Sequence, residues 1–407
     1  MLVVIIVIPV LSPGAWAQSK YRTLYAFTGG MDGGSPAAGP ILDQAGNLYG
    51  TTVVGGAHSV GTVFELTPKA GGSWTKKVLL NFNLKNGALP LGGLIFDASG
   101  NLYGTTYGGG THDFGTVYEL TPLNGRWTER VLYSFVPGRD GGGFKPSAGL
   151  IFDSSGNLYG TTTSGGASLS GTVFRLTPSS GGAWTENVLY QFTGGADGGY
   201  PVGGVILDAE GNLYGMTEYG GSGCYLPGCG VVFELTPNAD GSWKENVLHT
   251  FTGGADGALP LASLVMDTAG NLYGTTLEGD LHDFGTVFKL APSTGNWKET
   301  VLYRFKGRSG ENPSGSLIFD SLGDLYSTTQ EGGDLAGAGC NEVGCGVVFK
   351  LTPNSNGGWN ERVLHTFADH PGANPEAGLI FDPAGNLYGT SIGDGSGTFG
   401  SVFEITP

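Results

Sequence analysis

Two stretches of this 407-residue chain carry the side chains best suited to chemistry: "THDFGTV" at Thr111–Val117 and "LHDFGTV" at Leu281–Val287. Each sets a histidine beside an aspartate, His112 with Asp113 and His282 with Asp283. Such a pair can act as a general base or a ligand, and the same residues also suit a turn at a loop tip. Four further aspartates lie in glycine-rich loops: Asp32 in "TGGMDGG", Asp140 in "PGRDGGG", Asp197 in "TGGADGG" and Asp256 in "TGGADGA". Carboxylate and carbonyl oxygens of this kind could hold calcium, although no stretch has the ligand spacing of an EF-hand or a calcium-binding nonapeptide. No nucleophile elbow, zinc-protease helix, P-loop or dinucleotide fingerprint stands in the context it needs. The eight residues are candidate ligand contacts, and no catalytic residue is assigned.

Four cysteines form two local pairs, Cys224 with Cys229 and Cys340 with Cys345. Each pair occupies the same place in its own "GxGC…GCGVVF" loop, and another repeat lies between them. One zinc site using all four thiolates would need those loops to meet, so two local disulfides are expected.

What positions these loops is a repeated phrase. "NLYGTT" stands at Asn47, Asn101, Asn157 and Asn271, with near-copies at Asn212, Asp324 and Asn386. Counted from the residue before each copy, the units begin at 46, 100, 156, 211, 270, 323 and 385, a period of 53 to 62 residues. Within a unit come "GLIFD", "NLYGTT", "GTVYELTP" and "WTERVLYSF", shown here for the second unit. These runs alternate between faces, are rich in β-branched and aromatic residues, and are bounded by Gly, Pro, Asn and Ser. Four strands per unit, seven times over, predict an all-β, seven-bladed β-propeller of four-stranded blades. "YRTLYAF" (Tyr21–Phe27) reads as a fourth strand with no unit of its own, while the last unit stops at its third, "GSVFEITP" (Gly400–Pro407). The N-terminal strand is therefore expected to complete the last blade and close the ring near Val402–Ile405. The recurring Asp43, Asp97, Asp153, Asp208, Asp267, Asp320 and Asp382 are read as turn acceptors rather than a metal ring.

At "YGTT..GG....GTVFELTP" the units resemble the tandem repeat of the GloVer family, the choice-of-anchor bacterial proteins. Tyr49–Pro68, Tyr103–Pro122, Tyr159–Pro178 and Tyr273–Pro292 carry the likeness. The resemblance implies an exported bacterial protein and brings no activity or catalytic residue with it. The family is named for varied C-terminal anchoring segments, and none is recognised before the last residues, Thr406 and Pro407.

Charge narrows the partners. Nineteen basic against 35 acidic residues leave a net charge of −16. No Lys/Arg cluster exists, so nucleic acid and anionic membrane surfaces are excluded as expected partners. The 77 glycines fall at fixed places in the repeat, and 39% hydrophobic residues suffice for a folded core. Leu2–Leu11 is an apolar run too short to span a bilayer, and Ala15-Trp16-Ala17 gives a cleavage pattern. Residues 1–17 are thus expected to be a secretory signal peptide, although no basic residue precedes the run, and residues 18–407 a single propeller. The expected protein is a secreted, monomeric binding or scaffolding module for a cell-surface glycan or an exported protein. The alternative is a carbohydrate-active hydrolase or lyase with its site at the channel mouth.

Overall fold

In the computed structural model the described residues are 19–407, save 139–140, 225–226, 280–282, 335–339, 341–342, 369–371 and 394–398. The expected leader, Asp140 and His282 lie outside them. The described residues form seven small antiparallel sheets of four strands and no α-helix, arranged in a ring: a seven-bladed β-propeller. Blade 2 is representative, with strands Ile95–Phe96, Leu102–Thr106, Thr116–Leu123 and Arg126–Ser134 paired in chain order. The innermost strand has only two residues, whereas the outer two run to eight and nine.

Closure follows the expected register. Lys20–Ala26 pairs antiparallel with Ser401–Thr406, setting Tyr21 against Ile405, Thr23 against Phe403 and Tyr25 against Val402. Blade 7 is therefore built from both ends of the chain.

Each word of the repeated phrase has a packing duty. Asp43 accepts hydrogen bonds from the Ala45 and Asn47 amides at 2.9 and 2.8 Å, and from the Asn47 side chain and Tyr49 hydroxyl at 2.8 and 3.1 Å. In the other six blades the amide four residues on and the tyrosine hydroxyl donate in the same way. The ring of seven carboxylates is a ring of turns. Gly104 is needed because the third-strand aromatic crosses it: a Cβ there would lie 2.5 Å from the Tyr118 hydroxyl.

In five of the seven blades the first threonine of the phrase latches to a neighbouring blade. Thr105 Oγ1 donates to Ala148 O at 2.8 Å, Thr161 to Gly203 O at 3.0 Å and Thr328 to Ala377 O at 2.9 Å. Thr390 of blade 7 reaches Ala38 of blade 1 at 3.0 Å, so the ring is closed at its inner edge as well as its outer one. Apolar clusters fill the space between blades; one combines Tyr49, Val63 and Phe82 of blade 1 with Leu102, Tyr118 and Leu120 of blade 2. Trp127 of blade 2 meets Tyr49 of blade 1 edge-on at 6.0 Å.

Candidate functional site at the channel mouth

The segments leading into the innermost strands line a central channel of about 450 Å³. Its wall is mostly small: Gly92-Gly93, Ala148-Gly149, Gly203-Gly204 and Ala377-Gly378 are typical. Among the described residues of the lining Glu376 is the one ionisable side chain, and Gln330 Nε2 donates to its Oε1 at 2.6 Å. Burial pushes its carboxyl above the usual range.

At one end of this channel the loop after each blade's second strand meets the loop that follows the fourth strand of the preceding blade. Between blades 2 and 3 they form a two-stranded ribbon, Gly143–Phe144 against Ser164–Gly165. At other seams single bridges join them, such as Ala88 to Gly108 and Gly199 to Tyr219. Just before the channel lining stands a residue in the left-handed region, always followed by proline. Ser35, Leu89, Lys145, Tyr200, Leu259, Asn312 and Asn374 have φ of 52°, 55°, 62°, 61°, 54°, 55° and 55°. Proline disfavours compact conformations in the residue before it, and a non-glycine residue here stores roughly 1–3 kcal/mol. The hydrogen bonds show what holds it. Lys145 N donates to Phe114 O of the preceding blade at 2.9 Å, and Lys145 O accepts from Thr163 N of its own blade at 3.2 Å. The same two-blade stitch recurs in every unit.

This stitch brings together two side-chain positions per blade, and neither holds one fixed residue type. The residue after the second strand is Val53, Tyr107, Thr163, Glu218, Leu277, Gln330 or Ile392, all buried or half-buried. In blades 2 to 4 these positions carry polar and aromatic side chains, Leu89 apart. Lys145 Nζ lies 5.4 Å from the centroid of Tyr107. Burial, and then the neighbouring Tyr107, raise the Tyr200 hydroxyl's pKa, and the Tyr200 ring lies 5.7 Å from that of Tyr219 at a 44° tilt. Glu218 precedes Tyr219 in the chain and, with burial, raises its hydroxyl's pKa; Glu218 itself feels Glu278 of blade 5. Burial first, and then Glu278, hold the Glu218 carboxyl above its ordinary range. Sequence reading missed this cluster, although the pre-proline and post-"YGTT" positions are conspicuous as variable sites inside fixed phrases.

The sequence-derived candidates sit farther out. His112 and Asp113 are exposed at the tip of a blade 2 loop, where Asp113 has φ of 64° and accepts from Gly109 N at 2.9 Å. Asp283 is exposed in the matching blade 5 loop. No hydrogen bond or ion pair among the described residues joins the two loops.

Asp32, Asp197 and Asp256 hold their own turns. Asp32 accepts from the Thr28 amide and hydroxyl and from Tyr25 OH, and Asp197 from the Thr193 amide and hydroxyl and from Tyr190 OH. Asp256 accepts from the Thr252 amide and hydroxyl and lies 3.4 Å from His249 Nε2. Their carboxylates face the next blade's fourth strand, where one position differs in sign. Lys76 donates to Asp32 O, whereas Glu245 and Glu299 confront Asp197 and Asp256. Burial, and then the facing carboxylate, push Glu245 and Glu299 up to about 7.

Among the described residues no three His, Cys, Asp or Glu side chains gather as a metal centre needs. Cys224 is bonded to Cys229 and Cys340 to Cys345, with Cα atoms 5.7 and 5.3 Å apart. No helix among the described residues is long and apolar enough to cross a membrane.

Fold and site together define a seven-bladed β-propeller whose blades share their packing and differ at the mouth. The chain belongs to the Gloeobacter/Verrucomicrobia repeat family, whose model matches residues 13–143, 75–268 and 226–407. No curated protein matches it in sequence. Among solved structures it resembles the extracellular domain of a protein assigned as a one-component system from B. thetaiotaomicron, with a TM-score of 0.55 and 12% identity. That likeness covers 94% of this chain and 39% of the other, so the chain spans well under half of that protein's length. It also resembles a protein assigned as a 6-phosphogluconolactonase from Bacteroides uniformis, with a TM-score of 0.53 and 14% identity over 84% of this chain and 88% of that one. At these identities the likeness is one of fold.

Proposed function

We propose that the protein is an exported propeller that binds a glycan across the channel mouth without transforming it. One observation carries the reading: the non-repeating side chains converge on the mouth, where Tyr107, Tyr200 and Tyr219 run from blade 2 to blade 4 beside Glu218. Tyrosine faces present apolar area at low entropic cost, and carboxylates accept hydrogen bonds from sugar hydroxyls. His112, Asp113, His282 and Asp283 serve as outer contacts on the same face, whereas Asp32, Asp197 and Asp256 serve the blade seams. Residues 1–17 act as the leader and residues 18–407 as one propeller, and the two disulfides suit an oxidising compartment.

The test is a glycan-array and thermal-shift screen of the exported protein and its Tyr107→Ala/Tyr200→Ala variant. Binding by the wild type and at least tenfold weaker binding by the variant are expected. A variant that binds unchanged, or a wild type that binds no glycan, overturns the reading.

A second reading, a carbohydrate-active hydrolase or lyase, draws on Glu376, a half-buried acid in the channel whose raised pKa suits proton donation. It requires turnover of a bound glycan that Glu376→Gln abolishes while binding persists.

A further inference from the structure

Six of the seven blades carry a tryptophan at the start of the fourth strand. Trp74, Trp127, Trp184, Trp243, Trp297 and Trp359 each pair with a proline near the end of the third strand. From there the indole reaches the phrase tyrosine of the preceding blade. Trp74 lies 6.3 Å from Tyr388, Trp127 6.0 Å from Tyr49 and Trp297 6.2 Å from Tyr214. Trp184, Trp243 and Trp359 share the apolar clusters of Tyr103, Tyr159 and Tyr273. Blade 7 is the exception. Its fourth strand sets Lys20 against Thr406, so one residue further Ser19 falls opposite Pro407, where the other blades have tryptophan. Ser19 turns its hydroxyl onto Leu364 O of blade 6, and the cluster around Tyr326 contains no tryptophan among the described residues. The chain's seventh tryptophan, Trp16, belongs to the expected leader and lies outside the described residues. Lys350 Nζ, 5.1 Å from the Tyr326 centroid, does not take the indole's place, because Lys289 stands over Tyr273 in the same way and Trp359 is present there too.

At this seam lies a cavity of about 560 Å³. Phe319, Leu322 and Tyr326 of blade 6 line it together with Phe381, Pro383 and Pro407 of blade 7. It continues outward the packed interface in which Tyr326 meets Phe381, their rings 5.1 Å apart. Its rim is the pair of turns at Asp320 and Asp382, between first and second strands. Each second strand runs from such a turn to a mouth loop, so the cavity opens on the face opposite the mouth.

We propose that this seam binds a tryptophan side chain supplied by another exported polypeptide. The six filled seams define the occupant: an indole set against the phrase tyrosine and enclosed by the next blade. An aromatic ring buries a large area at low entropic cost, and tryptophan is a favoured anchor of protein interfaces. The volume falls in the range of about 300–1,000 Å³ that takes ligands larger than one ring, so the residues flanking the indole also find room. The rim carboxylates and the net charge of −16 favour neutral or basic flanks over acidic ones. This site is independent of the glycan reading, and its occupant leaves the mouth open.

Isothermal titration of the exported protein with acetylated, amidated Gly-Trp-Gly and Gly-Leu-Gly tests the inference. The tryptophan peptide should bind at least about tenfold more tightly. Ser19→Trp supplies the missing indole from within, so it should abolish that preference and raise the melting temperature. Leu322→Glu, at a side chain 81% exposed and therefore outside the core, should also remove the preference. The Tyr107→Ala/Tyr200→Ala variant, altered at the opposite face, should keep it. Equal affinities for the two peptides in the wild type overturn the inference, as does a preference that survives in Ser19→Trp or in Leu322→Glu. A preference lost in the mouth variant overturns it too, because the peptide would then sit at the mouth.

Discussion

Replacing Glu245 and Glu299 by glutamine should make the protein more stable at pH 8 and change little at pH 5. Each glutamate faces an aspartate of the preceding blade, Asp197 or Asp256, and each has a buried Oε1 with no hydrogen-bond partner. Tyr190 also faces Glu245, while His249 lies by Asp256 and Arg304 acts favourably on Glu299. The unfolded carboxyl titrates near 4.5 and the folded one near 7, so the folded chain holds these protons more tightly. Their stabilising contribution is complete below about pH 4.5 and is lost as pH rises through about 7. Such a displacement is worth about 3 kcal/mol for a wholly buried group. Both side chains are only half-buried, so solvent screening reduces this to about 1 kcal/mol each. Urea denaturation of wild type and double variant at pH 5, 6, 7 and 8 reads the effect. The variant should gain about 2 kcal/mol at pH 8 and stay within about 0.5 kcal/mol of wild type at pH 5. A gain that is the same at both ends of the range would refute the facing-carboxylate argument. Lysine at position 245 offers a further check, because blade 1 already places Lys76 opposite Asp32.

Three other outcomes test the packing. Tyr118→Phe should raise stability by about 1 kcal/mol in thermal denaturation, since the Tyr118 hydroxyl is fully buried without a partner and the other six blades have Phe there. Thr105→Val should cost about 1 kcal/mol by removing the latch to Ala148, whereas Thr275→Val should cost nothing, because the Thr275 hydroxyl has no partner. Mass spectrometry of the unreduced protein should show Cys224–Cys229 and Cys340–Cys345 linked, and serine at either pair should cost on the order of 2 kcal/mol in urea denaturation.

Blade number, strand order and the closing register were legible because one packing problem is solved seven times. Asp43 needs the amide of Asn47 and the hydroxyl of Tyr49, and so does every counterpart, so the phrase must recur. The mouth was not legible for the opposite reason. Tyr107, Lys145, Tyr200 and Glu218 occupy positions defined by what they do not share. Their backbone also contradicts local rules: a lysine or tyrosine before proline would be read as extended, yet Lys145 and Tyr200 are left-handed because two blades grip their amide and carbonyl. The loop aspartates show a different limit. "TGGADGG" reveals a turn but not which way the carboxylate faces, and Asp197 turns toward Glu245 at the seam. His112 and Asp113 were placed in an exposed loop by sequence, and that is where they lie.

The strand Lys20–Ala26 finds its partner in Ser401–Thr406 across almost the full length of the chain. Because synthesis starts at the N-terminus, the first strand to appear must wait for the last. Six blades can assemble from local contacts as they appear, but the third strand of blade 7 keeps an open edge until the N-terminal strand docks on it. Such long-range pairing is slow, and an unpaired edge invites association with other chains. The arrangement therefore ties closure to completeness. A molecule interrupted before Ser401 leaves Lys20–Ala26 without its partner and the ring unfinished, whereas the full chain pairs that edge.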